Sequence, residues 1–155
     1  MYMVMDPILI TRMELTFKRD MPGFDGARHF VVEPVGEGPE GVFGRLICTD
    51  TVQMQAGGAL SNLALLVMSP WILWREYEVE IDEVIAENLG LSSSEDVMLL
   101  VIVHPQEPLT RSTANLYSPI VINRRTGIAD QLVPLFSERE IGWSVRTPFP
   151  SEGDD

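Results

Sequence analysis

The sequence predicts a mainly β, antiparallel barrel-like single domain with one or two short helices. Short apolar runs recur at roughly ten-residue spacing, several alternate apolar with polar residues at a period of two, and helical spacing shows in one short stretch. No GxGxxG follows a strand and strand–helix alternation is missing, which argues against a nucleotide-binding α/β fold. A chain of 155 residues has the size of one domain. Residues 1–150 are read as that domain, and residues 151–155 as an acidic, disordered tail.

From Thr11 to Lys18, Met13, Leu15 and Phe17 alternate with charged or polar neighbours, as in a strand with one buried face. Pro22, Gly23 and Phe24 supply a turn, and Phe30–Val32 restart an extended segment. Gly36 to Gly41 is a loop, Val42 to Thr49 a further strand, and Leu63–Met68 an uninterrupted apolar run expected to be buried on both faces. Tyr77, Val79 and Ile81 then alternate with Glu76, Glu78 and Glu80, which places three carboxylates in a row on one strand face.

Asp82 is suited to cap a helix start, Ile85 and Leu89 are spaced i, i+4, and Gly90 can close the helix in a left-handed conformation. A second capped turn, Ser92–Asp96, leads into Val97–Val103, the best candidate for a central strand. Leu116–Ile122 and Ile128–Val133 read as a hairpin joined by Asn123–Gly127, and Ile141, Trp143 and Val145 alternate in a last extended stretch.

Eleven basic against 23 acidic residues give a net charge of −12. Such a field repels nucleic acid and anionic membranes and speeds encounter with a basic protein, although acidity also serves solubility alone. No stretch approaches the roughly 20 apolar residues of a membrane span. Met1–Ile10 lacks the basic leader and apolar core of a secretion signal. A single cysteine, Cys48, leaves no internal disulfide. A cytoplasmic protein is expected, with a monomer favoured.

Catalytic chemistry finds little support. Cys48 lies inside an apolar strand pattern, as an inert packed thiol does. His29 and His104 are far apart in sequence and belong to no short-spaced ligand cluster, so no metal or other cofactor is expected. The row Glu76, Glu78, Glu80 reads either as a solvated face or as a surface for a basic partner. Trp71 and Trp74 beside Tyr77 read either as core or as an interface patch.

Residues Thr113–Asn123, TANLYSPIVIN, resemble the TANLxAPIVIN signature of the FliW family. Pro22–Asp25 resembles that family's PGFE turn, Leu63–Pro70 its LAFVVxxP strand and Tyr77–Ile81 its YEIEL strand, all in the family's order. The resemblance covers roughly residues 11–149. Asp25 replaces a glutamate, Ser118 an alanine, and Thr49–Asn62 a shorter connection. The resemblance implies a non-enzymatic flagellar assembly factor with two protein partners, flagellin and the RNA-binding regulator CsrA. Freed of flagellin, such a protein binds CsrA and relieves its repression of flagellin mRNA translation. Candidate contact residues are Asn115, Tyr117 and Asn123 of the signature, whose polar groups can read a partner's backbone, Glu76, Glu78 and Glu80, and Pro22 and Phe24 of the early turn. Local roles remain open for these residues: Asn123 beside a turn can bond its own backbone, and Pro22–Phe24 can serve as a rigid turn. The alternative function is a small-ligand-binding barrel, which a deep apolar cavity would favour.

Overall fold

The computed structural model describes residues 2–3, 9–35, 42–54, 57–61 and 63–151. The expected loop at Gly36–Gly41 and most of the acidic tail lie outside the described residues. Its strands are β1 (Tyr2–Met3), β2 (Met13–Phe17), β3 (Phe24–Asp25), β4 (His29–Val35), β5 (Phe43–Cys48), β6 (Val52–Met54), β7 (Ala59–Leu60), β8 (Ala64–Met68), β9 (Val79–Glu80), β10 (Val97–His104), β11 (Thr113–Ala114), β12 (Ile120–Asn123), β13 (Ile128–Gln131) and β14 (Thr147–Pro148). Two short helices, α1 (Glu83–Leu89) and α2 (Glu138–Ile141), join them.

Seven strands close a barrel in the order β12-β13-β2-β4-β5-β8-β10 and back to β12. Closure removes exposed edges, which a short sheet would otherwise offer to other chains. The barrel class is as expected, and all but one of its neighbouring pairs are antiparallel. The exception is the seam, where β13 meets β2 in parallel, Ile128 opposite Thr16 and Ala129 opposite Phe17. There Thr16 N–H donates to the Gly127 carbonyl at 2.9 Å.

The period of two sorts side chains to the two faces. Leu15 and Phe17 of β2, Phe30 and Val32 of β4, and Leu46 and Cys48 of β5 are buried together inside the barrel. Strand β10 is buried on both faces: Met98 and Leu100 join that interior, whereas Val97, Leu99, Val101 and Val103 pack into a second core outside it. Trp71, Tyr77, Ile81 and Leu89 cover this second core, so the central-strand expectation holds for a physical reason. Trp71 and Trp74, 2% and 9% exposed, are core residues rather than a surface patch.

The helix predicted after Asp82 forms: Asp82 Oδ1 accepts from Ile85 N–H at 2.9 Å, and Gly90 closes it at φ 69°. Four expectations are corrected. Within Leu63–Met68, Leu63, Val67 and Met68 are buried, but Ala64 is exposed and Leu65 and Leu66 half-buried, because the outer layer begins at Ser69 and folds back over Met68. The alternation across Tyr77–Ile81 is kept, but its strand shrinks to Val79–Glu80, which pair with Met3 and Tyr2 of β1. The stretch after Ile141 is no strand: Ser137 caps α2, Gly142 ends it at φ 89°, and Glu138 Oε1 accepts from Val145 N–H at 2.7 Å. The Thr49–Asn62 segment, read as a connection, also carries strands, because β6 and β7 add to β3 as a small separate sheet.

Two glycines are required for different reasons. Gly23, at φ 90°, follows Pro22 in a turn closed by Phe24 N–H to the Met21 carbonyl at 2.9 Å, and a Cβ there meets open space. Gly127, at φ 78°, has no such room, as its Cβ would press on the Glu14 carbonyl at the seam. Gly23→Ala is therefore expected to lose about 1–2 kcal/mol through the backbone conformation alone. Gly127→Ala should lose about 2–4 kcal/mol because β2 must also move. Urea unfolding midpoints of the two variants check this ranking.

Candidate functional site

Alternation in the outer layer leaves Glu76, Glu78 and Glu80 exposed while Tyr77 and Ile81 are buried beneath them. Tyr77 anchors the layer. Its hydroxyl donates to the Leu116 carbonyl at 2.8 Å, its own carbonyl accepts from Trp71 Nε1 at 2.7 Å, and its ring meets Trp143 edge-on with centroids 5.3 Å apart. Burial pushes the Tyr77 phenol well above its ordinary pKa.

Opposite the carboxylates runs the segment after β13. Strand β13 ends at Gln131, two residues earlier than the Ile128–Val133 reading, and Leu132 N–H then donates to the Pro119 carbonyl at 2.9 Å. The Tyr117 hydroxyl donates to the carbonyl of Phe136 and lies 3.5 Å from that of Pro134. With its backbone held inward, the segment turns its apolar side chains out: Leu135 is 98% and Phe136 60% exposed.

Between these walls lies a groove of about 580 Å³. Glu76, Glu78, Glu80 and Asp82 come from one wall, Val133, Leu135, Phe136, Glu140 and Ile141 from the other, and Tyr77, Leu116, Leu132 and Trp143 also contribute. Tyr117 lines it as well, so the fold brings together four of the eight candidate residues read from the sequence.

The other four lie elsewhere. Asn123 is fully buried. Its Nδ2 donates to the Leu89 carbonyl at 2.8 Å and its Oδ1 accepts from Arg125 N–H at 2.9 Å, so it fastens α1 to the β12–β13 turn. A partner could reach it only if that junction opened. Asn115 Oδ1 accepts from Ser118 N–H at 2.9 Å and shapes the approach to β12. Pro22 is exposed on its turn, and Phe24 is half-buried against the barrel interior while pairing with Met54.

Sequence reading missed the apolar wall. Its signal was the run Leu132–Phe136, where Pro134 interrupts four apolar residues that follow neither helical nor strand spacing.

The residues considered for catalysis are occupied structurally. His29 Nδ1 sits 3.2 Å from the Asp50 carboxylate, which also accepts from the backbone N–H of Arg28 and His29 at 3.0 and 2.8 Å. Those backbone donors hold the Asp50 carboxyl below its usual pKa. Cys48 faces the barrel interior, and burial raises its thiol. Burial, with Arg146 nearby, lowers His104. Among the described residues no group of three or more His, Cys, Asp or Glu is placed to hold a metal ion, and no helix is long and apolar enough to cross a membrane.

Fold and site together define a small closed β-barrel with an outer layer that carries an acidic and apolar groove. The chain belongs to the FliW family: the family model for FliW protein matches residues 7–148. It is 35% identical over 119 residues to the flagellar assembly factor FliW of Bacillus licheniformis, covering 77% of this chain and 76% of that protein. Over 140 residues it is 31% identical to the protein of the same name from Oceanobacillus iheyensis, covering 90% and 88%. The crystal structure of a flagellar assembly factor FliW superposes with a TM-score of 0.72 at 24% identity, covering 90% of this chain and 87% of that one, and shows the same fold. The resemblance read from Thr113–Asn123 is thereby borne out.

Two outcomes follow from these anchors. Asn123→Ala should cost about 2–4 kcal/mol in urea unfolding, because two backbone groups lose their buried partner, while exposed Arg124→Ala stays within about 0.5 kcal/mol. Tyr77 has a pH signature. Below the ordinary phenol value of 10.0 both folded and unfolded chains keep the proton. Above it the unfolded chain releases the proton first, so stability falls with rising pH, by up to about 1.4 kcal/mol per unit. Tyr77→Phe should lose about 1–2 kcal/mol near neutral pH and show a shallower alkaline fall, read from unfolding curves between neutral and strongly alkaline pH.

Proposed function

We propose that this protein is a cytoplasmic flagellar assembly factor without catalytic activity, which binds flagellin and, when free of it, binds CsrA and relieves repression of flagellin mRNA translation. The observation that carries this reading is the family match across residues 7–148, which spans the barrel, the outer layer and the groove. Charge supports it, since a chain of net charge −12 suits a basic, RNA-binding partner and is a poor RNA binder itself. The small-ligand alternative asks for a hollow barrel. Phe17, Phe30, Leu46, Val67, Leu100 and Ile120 instead pack together in the barrel interior, which favours recognition of a protein on the outside.

As a switch, the scheme requires that occupancy by one partner lower the apparent affinity for the other. Calorimetry with the host's flagellin and, separately, its CsrA should show binding to each. Flagellin should displace CsrA, and CsrA affinity should fall as salt rises. A protein that binds neither would overturn the reading.

A further inference from the structure

We infer that the groove between Glu76–Asp82 and Val133–Ile141 is a docking site for a basic amphipathic helix of a protein partner. The inference rests on the protein-binding reading above and adds the chemistry of what is bound.

Three features of the groove select this occupant. The first is charge. Among the described residues five carboxylates line it and no Lys, Arg or His does; Arg75 and Arg139, adjacent in sequence to Glu76 and Glu140, are exposed but off the lining. A cationic segment would be drawn in and an anionic one turned away. The second is the apolar wall. Leu135 and Phe136 are neighbours on a backbone held by Tyr117, and a large apolar pair kept in water by fixed hydrogen bonds is a surface ready for burial. Because the segment is already ordered, little conformational entropy is lost on binding.

The third concerns the form of the occupant. An extended peptide would need a strand edge to add to, and among the described residues the strand on the lining is β9, whose two residues Val79 and Glu80 are too short to template one. A helix needs no such edge. Its apolar stripe at i, i+3, i+4 and i+7 meets the Leu135–Phe136 wall, and Lys or Arg flanking the stripe reach the carboxylates.

The test uses a synthetic helix with leucines at i, i+3, i+4 and i+7 flanked by lysines, a version with glutamate for lysine, and a scrambled peptide of the basic composition. Fluorescence anisotropy should show binding of the basic helix alone, weakening as salt rises. The double variant Leu135→Ser/Phe136→Ser should bind it about tenfold or more weakly, with an unchanged unfolding midpoint because both side chains are exposed. Glu76→Gln/Glu78→Gln should slow association and flatten its salt dependence. Equal binding of the glutamate or scrambled peptide, no binding of the basic helix, or an undiminished affinity in the serine variant would overturn the inference. Flagellin and CsrA are then titrated into wild type and the serine variant. Wild type binding both partners, with the variant binding both equally well, would overturn the groove while leaving the proposed function intact; wild type binding neither would overturn the function whatever the peptide does.

Discussion

Strand β10 is paired along both edges and buried on both faces, so the barrel and the layer outside it share one element. On one edge Val101 pairs with Met68 of β8, and on the other Leu100 pairs with Ile120 of β12, which closes the ring. Beyond β12 the same edge continues to β11, where Val103 faces Ala114. A strand in this position tolerates no polar side chain on either face, which accounts for the seven apolar residues Val97–Val103. The wall that Met98 and Leu100 give the barrel is, through Leu99 and Val101, the floor on which Trp71 and Tyr77 rest.

The groove is a consequence of that second core. Packing Tyr77 and Ile81 downward leaves the even-numbered glutamates pointing outward, whether or not the backbone there is a regular strand. Tyr77 and Tyr117 then act in complementary ways. The first ties the acidic segment to Leu116, at the start of the signature's loop, and the second, one residue on, ties that loop to Phe136. Two hydroxyls thus set the two walls relative to each other. Hydrogen bonds of this kind contribute only about 0.5–1.5 kcal/mol each, but they fix geometry that apolar packing alone would leave loose.

For a binding protein this arrangement separates two tasks. Stability comes from apolar burial in two cores on either side of β10, and the exposed groove side chains that the proposed recognition would use contribute little to either core. Exposed Leu135 and Phe136 can change with a partner at little cost to the fold, whereas Asn123, deep in the family signature, cannot. A long and specific motif such as Thr113–Asn123 therefore marks the barrel's closing junction at least as much as any contact surface.

Much of this was legible in the chain itself. Period-two alternation marked β2 and the buried positions around Tyr77, the β-branched run marked β10, and Asp82 with Gly90 marked α1, because each depends on neighbours within a few residues. The family, too, could be read from one local motif. Which strands close the ring, the parallel seam at Gly127, and the pairing of β6 and β7 with β3 depend on contacts between distant residues, for which local spacing holds no signal. The groove belongs with these: the glutamates were visible as a row, but their opposite wall lies more than fifty residues away along the chain. By itself the sequence determined the alternation in β2 and around Tyr77, the apolar run of β10 and the family to which the chain belongs. Only the tertiary structure decided which exposed residues face one another, since that follows from barrel closure and from the outer layer's packing on β10.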